Sequence, residues 1–202
     1  MKKEEFDDVL KKNETVISQI KNSAATLHDI TCNQKYGEDL PYSYHLNSTA
    51  KIAMQYGHAI CESPEHVIPI VFGAYYHDAI EDARMTYNDV LKAAKAIMSE
   101  EQAVMATEIV YALTDEKGRN RKERGSEKHY EDIRNTPYAP FVKFCDRFAN
   151  MAYSAKHKSR MFYVYSKEHE DFMGKLGGTI FIPDELWKEM EQTIIDGNLS
   201  HM

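Results

Sequence analysis

Apolar residues recur along this chain at helical spacing almost from end to end. Almost nowhere do they alternate with polar ones as a half-buried strand requires. That property confines the fold to packed helices, an all-α bundle. Phe6, Val9, Leu10, Val16 and Ile20 mark an opening helical stretch, with a break offered at Asn13 and Thr15. A second stretch runs from about Ser23 to Cys32 and stops in a polar loop, Asn33 to Pro41, that contains Gly37. Residues 45–56 read as helix closed by Gly57. Pro64 suits the first turn of the next helix, which carries Tyr75-Tyr76-His77-Asp78-Ala79-Ile80-Glu81-Asp82. Thr86 has the character of an N-cap, with Asp89 at the third helical position. Further helices are expected over about Glu100 to Leu113, after Pro140, from about Ser159 to Leu176, and from Pro183-Asp184 onward.

A chain of 202 residues can bury one full core, and two domains would be cramped. We therefore expect a single domain over residues 1–202, with its core at about 24–176 and helical extensions at both ends. The net charge of -7 argues against a general nucleic-acid binder, which needs a basic surface. A homo-oligomer is compatible with the composition. Three widely spaced cysteines, Cys32, Cys61 and Cys145, support neither a disulfide framework nor a zinc knuckle. The start, Met1-Lys2-Lys3-Glu4-Glu5, lacks the apolar run of a signal peptide, and no segment approaches membrane-spanning length. The cytoplasm is the expected location. Thr114 to Asn135 is the polar outlier, with Arg119, Arg121, Lys122 and Arg124 between Gly118 and Gly125. It reads as a solvated loop and helix face, or as a flap that meets substrate phosphates.

The densest chemistry lies at His77-Asp78. Neighbours on a helix stand about 100° apart, so an imidazole and a carboxylate there can grip one cation. Glu81 and Asp82 follow Asp78 by three and four residues and stack on the same side. Three acids and a histidine on one face repel one another unless a cation or a solvated cleft compensates. Asp146 stands at the margin of a strongly apolar helix, with Asn150 and Tyr153 on its arc. It could pair with Lys143 or Arg147 at the surface, or point into a cleft as a ligand. His45, at the entry to a helix, completes an H…HD…D set of two imidazoles and two carboxylates. Such mixed ligands suit a borderline or hard divalent metal such as Mn²⁺, Fe²⁺ or Zn²⁺. His28-Asp29 is a second HD pair, but it lacks the two downstream acids and reads as a packing or surface pair. His58, His66, His129, His157, His169 and His201 have no partner at meaningful spacing.

Three stretches together resemble the HD-domain metal phosphohydrolases, most closely the small alarmone hydrolases and the hydrolase domain of the RelA/SpoT group. They are Leu40-Pro41-Tyr42-Ser43-Tyr44-His45, then His77-Asp78-Ala79-Ile80-Glu81-Asp82 (HDxxED in that family), then Val142 to Met151 (similar to KxxDRxxNM). The resemblance implies a helical HD-domain bundle with Mn²⁺ held by His45, His77, Asp78 and Asp146. It implies that Glu81 and Asp82 orient or deprotonate the attacking water and that Asn150 contacts the nucleotide sugar. The implied reaction removes pyrophosphate from the 3′ position of guanosine 3′,5′-bis(diphosphate), and some members accept NADPH. Lys35, Lys143, Arg147 and Tyr153 complete the candidate substrate contacts. Two positions depart from the pattern: Leu46 stands where relatives usually have proline, and their upstream basic pair is reduced to Lys35 followed by Tyr36-Gly37. Other readings of the same residues are a phosphohydrolase of NADPH or another nucleotide, and a non-catalytic nucleotide-binding module.

Overall fold

The computed structural model describes residues 1–115 and 126–200, so the basic run at 119–124 lies outside the described residues. Ten α-helices occur among the described residues. They are α1 (Lys3–Lys12), α2 (Glu14–Ala25), α3 (Ser43–Tyr56), α4 (Val67–Tyr76), α5 (Tyr87–Lys95), α6 (Glu100–Leu113), α7 (Glu127–Asn135), α8 (Ala139–Lys156), α9 (Arg160–Leu176) and α10 (Asp184–Ser200). The fold is an all-α helical bundle.

The bundle is organised around α4, which is buried at every position from Val67 to Tyr76. A helix apolar all round has to lie inside other helices, and α4 packs on α2, α3, α6 and α8. Gly73 permits the close approach of α6, because a Cβ there would lie 2.6 Å from Ile109 Cγ2. The C-terminal end of α4 is thereby fixed in the middle of the molecule. One buried cluster runs from Phe6 to Met190, so the terminal helices add Phe6, Ile20, Leu186 and Met190 to it.

Several local details differ from the expectations. The break at Asn13 separates α1 from α2, but no new helix starts at Ser23. Instead α2 runs on to Ala25 and widens into a π-helical turn, Thr26–Thr31, closed by Cys32 N donating to Leu27 O at 3.0 Å. The polar loop folds as a small antiparallel hairpin, β1 (Lys35–Tyr36) with β2 (Leu40–Pro41), turned by Gly37 at φ +63°. The His77-Asp78 block is not on a helix, since α4 ends at Tyr76 and residues 77–83 form successive turns. At this end His77 Nδ1 donates to Ala74 O at 2.9 Å and caps a carbonyl of the last turn. One helical bond survives, Asp82 N to Asp78 O at 2.9 Å, before left-handed Arg84 (φ 58°) ends the segment. Asp78 and Asp82 therefore keep their one-turn offset. Thr86 and Asp89 form a full capping box. Among the described residues, no helix is long and apolar enough to cross a membrane.

Candidate metal centre and its cleft

Three elements meet at one point. His45 comes from the first turn of α3, His77 and Asp78 from the end of α4, and Asp146 from the middle of α8. The donor atoms of His45, His77 and Asp146 all lie within 4.8 Å of one another. His45 Nε2 is 3.1 Å from His77 Nε2 and 3.2 Å from Asp146 Oδ1. Asp78 Oδ2 completes the set, 2.9 Å from His77 Nε2 and 3.6 Å from His45 Nε2. Both histidines are almost fully buried.

The donor set fits a divalent cation. A carbonyl can only accept, so the bond to Ala74 O places a proton on His77 Nδ1 and leaves the Nε2 lone pair for the centre. Two imidazole nitrogens and two carboxylate oxygens this close are stable only with positive charge among them. Without a metal, protons must supply it. Burial alone would lower the His77 pKa, but the Asp78 and Asp146 carboxylates outweigh burial and push it up to about 9. Burial likewise opposes ionisation of the two acids. The His77 imidazole nevertheless holds Asp78 well below the usual carboxylate range. For Asp146, the His45 hydrogen bond does the same, helped by the Lys143 ammonium and His77. Asp146 thus combines the two roles its position allowed: it faces the cleft and also pairs with Lys143, Nζ to Oδ2 at 3.6 Å.

A second layer fixes these groups. Tyr42 Oη donates to Asp78 Oδ2 at 2.6 Å and stands 3.0 Å from Asp82 Oδ2. Burial, then Asp78 and Asp82, drive the Tyr42 pKa far upward, so it remains a donor. Gln34 Nε2 donates to Asp82 Oδ2 at 2.7 Å, while its Oε1 accepts from His28 Nδ1 at 2.8 Å. His28 also stacks on Tyr42, with centroids 5.0 Å apart. Asp29 Oδ1 accepts from Ser43 N at 2.9 Å, capping the helix that carries His45. The second HD pair is thus a packing pair that buttresses the first.

Above the donor atoms opens a cavity of about 770 Å³, walled on one side by the metal centre and on the other by α9. Glu81, Asp82, Lys143, Arg147 and Asn150 all line it. Glu81 is solvent-accessible, yet its carboxyl faces this wall. Burial there, then the Asp115, Asp78 and Asp82 charges, raise its pKa. Lys143 stays charged, because Asp146 and Asp115 more than offset the effect of burial. Arg147 bridges to α9, NH1 lying 3.3 Å from Glu168 Oε2, and its guanidinium rests over Phe172 (4.4 Å) and Tyr165 (4.9 Å).

Two candidate substrate contacts lie off this wall. Lys35 is exposed on β1. Tyr153 is covered by the hairpin: its ring packs on Tyr36 at 4.6 Å, and a Cβ at Gly37 would overlap its hydroxyl. Asn150 turns inward, donating to Asp146 from Nδ2 and accepting the Tyr36 hydroxyl at Oδ1. Sequence reasoning did not single out Tyr36, Tyr42 as a ligand brace, Gln34, Asp115 or Glu168. Tyr42 carried a signal in its position three residues before His45. Compared with protein-family models and with curated proteins, the chain matches none.

Proposed function

We propose that this protein is a metal-dependent nucleotide phosphohydrolase of the HD type, most specifically a 3′-pyrophosphohydrolase of guanosine 3′,5′-bis(diphosphate). The observation that carries the reading is the convergence of His45, His77, Asp78 and Asp146 beneath a cleft that also holds Glu81 and three cationic side chains. A bound Mn²⁺ would act as a Lewis acid on a phosphoryl oxygen and acidify water toward neutral pH. Glu81, with its raised pKa, accepts a proton from water near neutrality, and Asp82, fixed by Tyr42 and Gln34, orients that water. Lys143 and Arg147 neutralise substrate phosphates. The partner is a small phosphorylated nucleotide. The cytoplasm suits the free thiols of Cys32, Cys61 and Cys145.

The wall favours a second substrate reading. Among the described residues it carries seven carboxylates (Asp78, Glu81, Asp82, Asp115, Asp146, Glu168 and Asp171) against Lys143, Arg147 and Lys175. Such an excess suits a nucleotide of lower charge, such as NADPH, better than a bis(diphosphate). The test is metal analysis of the purified protein, followed by product release from guanosine tetraphosphate, NADPH, GTP and dGTP with Mn²⁺. Pyrophosphate release from the tetraphosphate is the expected result. Phosphate release from NADPH alone selects the second reading. Cleavage of the triphosphates alone, or of nothing, overturns both.

A further inference from the structure

We propose that Tyr36 is a positioning residue of the metal centre, acting through Asn150 on the Asp146 carboxylate and through its ring on His45. The inference rests on the metal-binding reading above. Asn150 has two N–H donors, and both are spent on Asp146: Nδ2 lies 2.7 Å from Oδ1 and 3.1 Å from the main-chain oxygen of that residue. The oxygen so held is the one 3.2 Å from His45 Nε2 and 3.7 Å from His77 Nε2, hence the atom offered to the metal. The other carboxylate oxygen is the one beside Lys143. Both ends of the Asp146 carboxylate are therefore fixed from outside the ligand set.

The orientation of the Asn150 amide depends in turn on Tyr36, whose hydroxyl donates to Asn150 Oδ1 at 2.9 Å. A flipped amide would press Oδ1 against two acceptors of Asp146, so the relay runs from Tyr36 to Asn150 to Asp146. Hydrogen bonds arranged in series polarise one another. The Tyr36 ring acts separately. It lies 5.0 Å from the His45 ring at an interplanar angle of 19°. His45 Nδ1 is buried without a hydrogen-bond partner, so stacking takes over the orienting task that a second-layer acceptor performs for His77. The hairpin is itself seated: Gly37, at φ +63°, lies against Tyr153 too closely for any larger residue. It follows that Asn150 cannot offer its amide donors to a sugar without releasing Asp146. Its role is to hold a ligand.

Tyr36→Phe removes the hydroxyl and keeps the ring. Mn²⁺ affinity of the full chain, by calorimetric titration, and the thermal midpoint of the metal-free protein are the two readouts. Tyr36→Phe should weaken Mn²⁺ about tenfold, the lower end of second-layer effects, with the metal-free midpoint nearly unmoved. Asn150→Ala should weaken it at least as much, and the double variant no further than Asn150→Ala alone, because the hydroxyl acts only through that amide. Tyr36→Ala, which also removes the stack on His45, should weaken it more than Tyr36→Phe. Wild-type affinity in Tyr36→Phe, or additive losses in the double variant, overturns the relay. A wild-type chain that takes up no Mn²⁺, Fe²⁺ or Zn²⁺, or a His77→Ala variant that binds normally, overturns the metal reading instead.

Discussion

On the wall built by α3, α4 and α8, the reactive groups are held by a layer of residues behind them; on the α9 wall, the charged groups hold one another. His77 leans on Ala74 O, Asp78 on Tyr42, Asp82 on Gln34, and Gln34 on His28. Between the walls, Arg147 of α8 reaches over to Glu168, and on α9 itself Lys175 pairs with Asp171 one turn away on an exposed face. Geometry on the first wall is set before any ligand arrives, which is where preorganisation contributes most to a reaction barrier. The Lys175–Asp171 pair can exchange partners at little cost, since exposed ion pairs contribute roughly 0 to 1 kcal/mol, whereas Arg147 is largely buried against Phe172 and Tyr165. On the proposed function the first wall would serve chemistry and the second selectivity, so variants on the two walls should fail differently.

The largest effect is expected at the metal wall. His77→Ala and Asp78→Ala should each abolish metal uptake and turnover while far-UV circular dichroism retains the helical signal. Full metal content in both variants would dissolve the distinction between the walls. Glu81→Gln comes next: it should keep metal and lose roughly two or more orders of magnitude in kcat, the scale of a missing general base. Near-normal turnover with metal bound would make Glu81 a structural residue.

Proton linkage gives a smaller effect. In metal-free protein, His77 is raised from 6.5 to about 9. Its protonated form stabilises the fold fully below pH 6.5, and that contribution is lost as pH rises through about 9. Urea unfolding of metal-free protein should therefore show stability falling between these pH values, by at most about 1.4 kcal/mol per pH unit. A flat profile over this interval would mean that His77 is neutral without metal. The smallest effect belongs to the bridge between the two walls. Arg147→Ala should raise KM about three- to tenfold, the scale of a single cation contact, without changing metal content. An equal loss of metal would show that the two walls are mechanically joined.

The cluster was legible because its residue types are costly to place together without a cation and because helical spacing fixes their bearing. His45, His77 and Asp146 bring donor atoms within 4.8 Å of one another, and Asp78 Oδ2 lies 2.9 Å from His77 Nε2. The end of α4 was not legible. Val67 to Tyr76 is followed by residues that continue a helical pattern, and only the fold shows that the imidazole caps the helix. Tyr153 shares an arc with Asp146 and Asn150, but the hairpin that covers it comes from residues more than a hundred positions earlier. Glu168 and Asp171 look in sequence like the solvated face of an amphipathic helix, and both turn out to border the cleft. Spacing within one element can be read from the chain; cover supplied by another cannot.

The π-helical turn at Thr26–Thr31 bears on how this protein tolerates insertions and deletions. It contains one residue more than an α-helical turn would. Deleting a single residue there would restore α-helical spacing and swing the downstream chain by about 100°. His28 would leave the face of Tyr42, and Asp29 would leave the amide of Ser43. Point changes are another matter, since Ile30 is 75% exposed and touches none of this. The turn is constrained in length more than in composition, and a surveyed set of variants should show gaps excluded from a segment in which several side chains are free to differ.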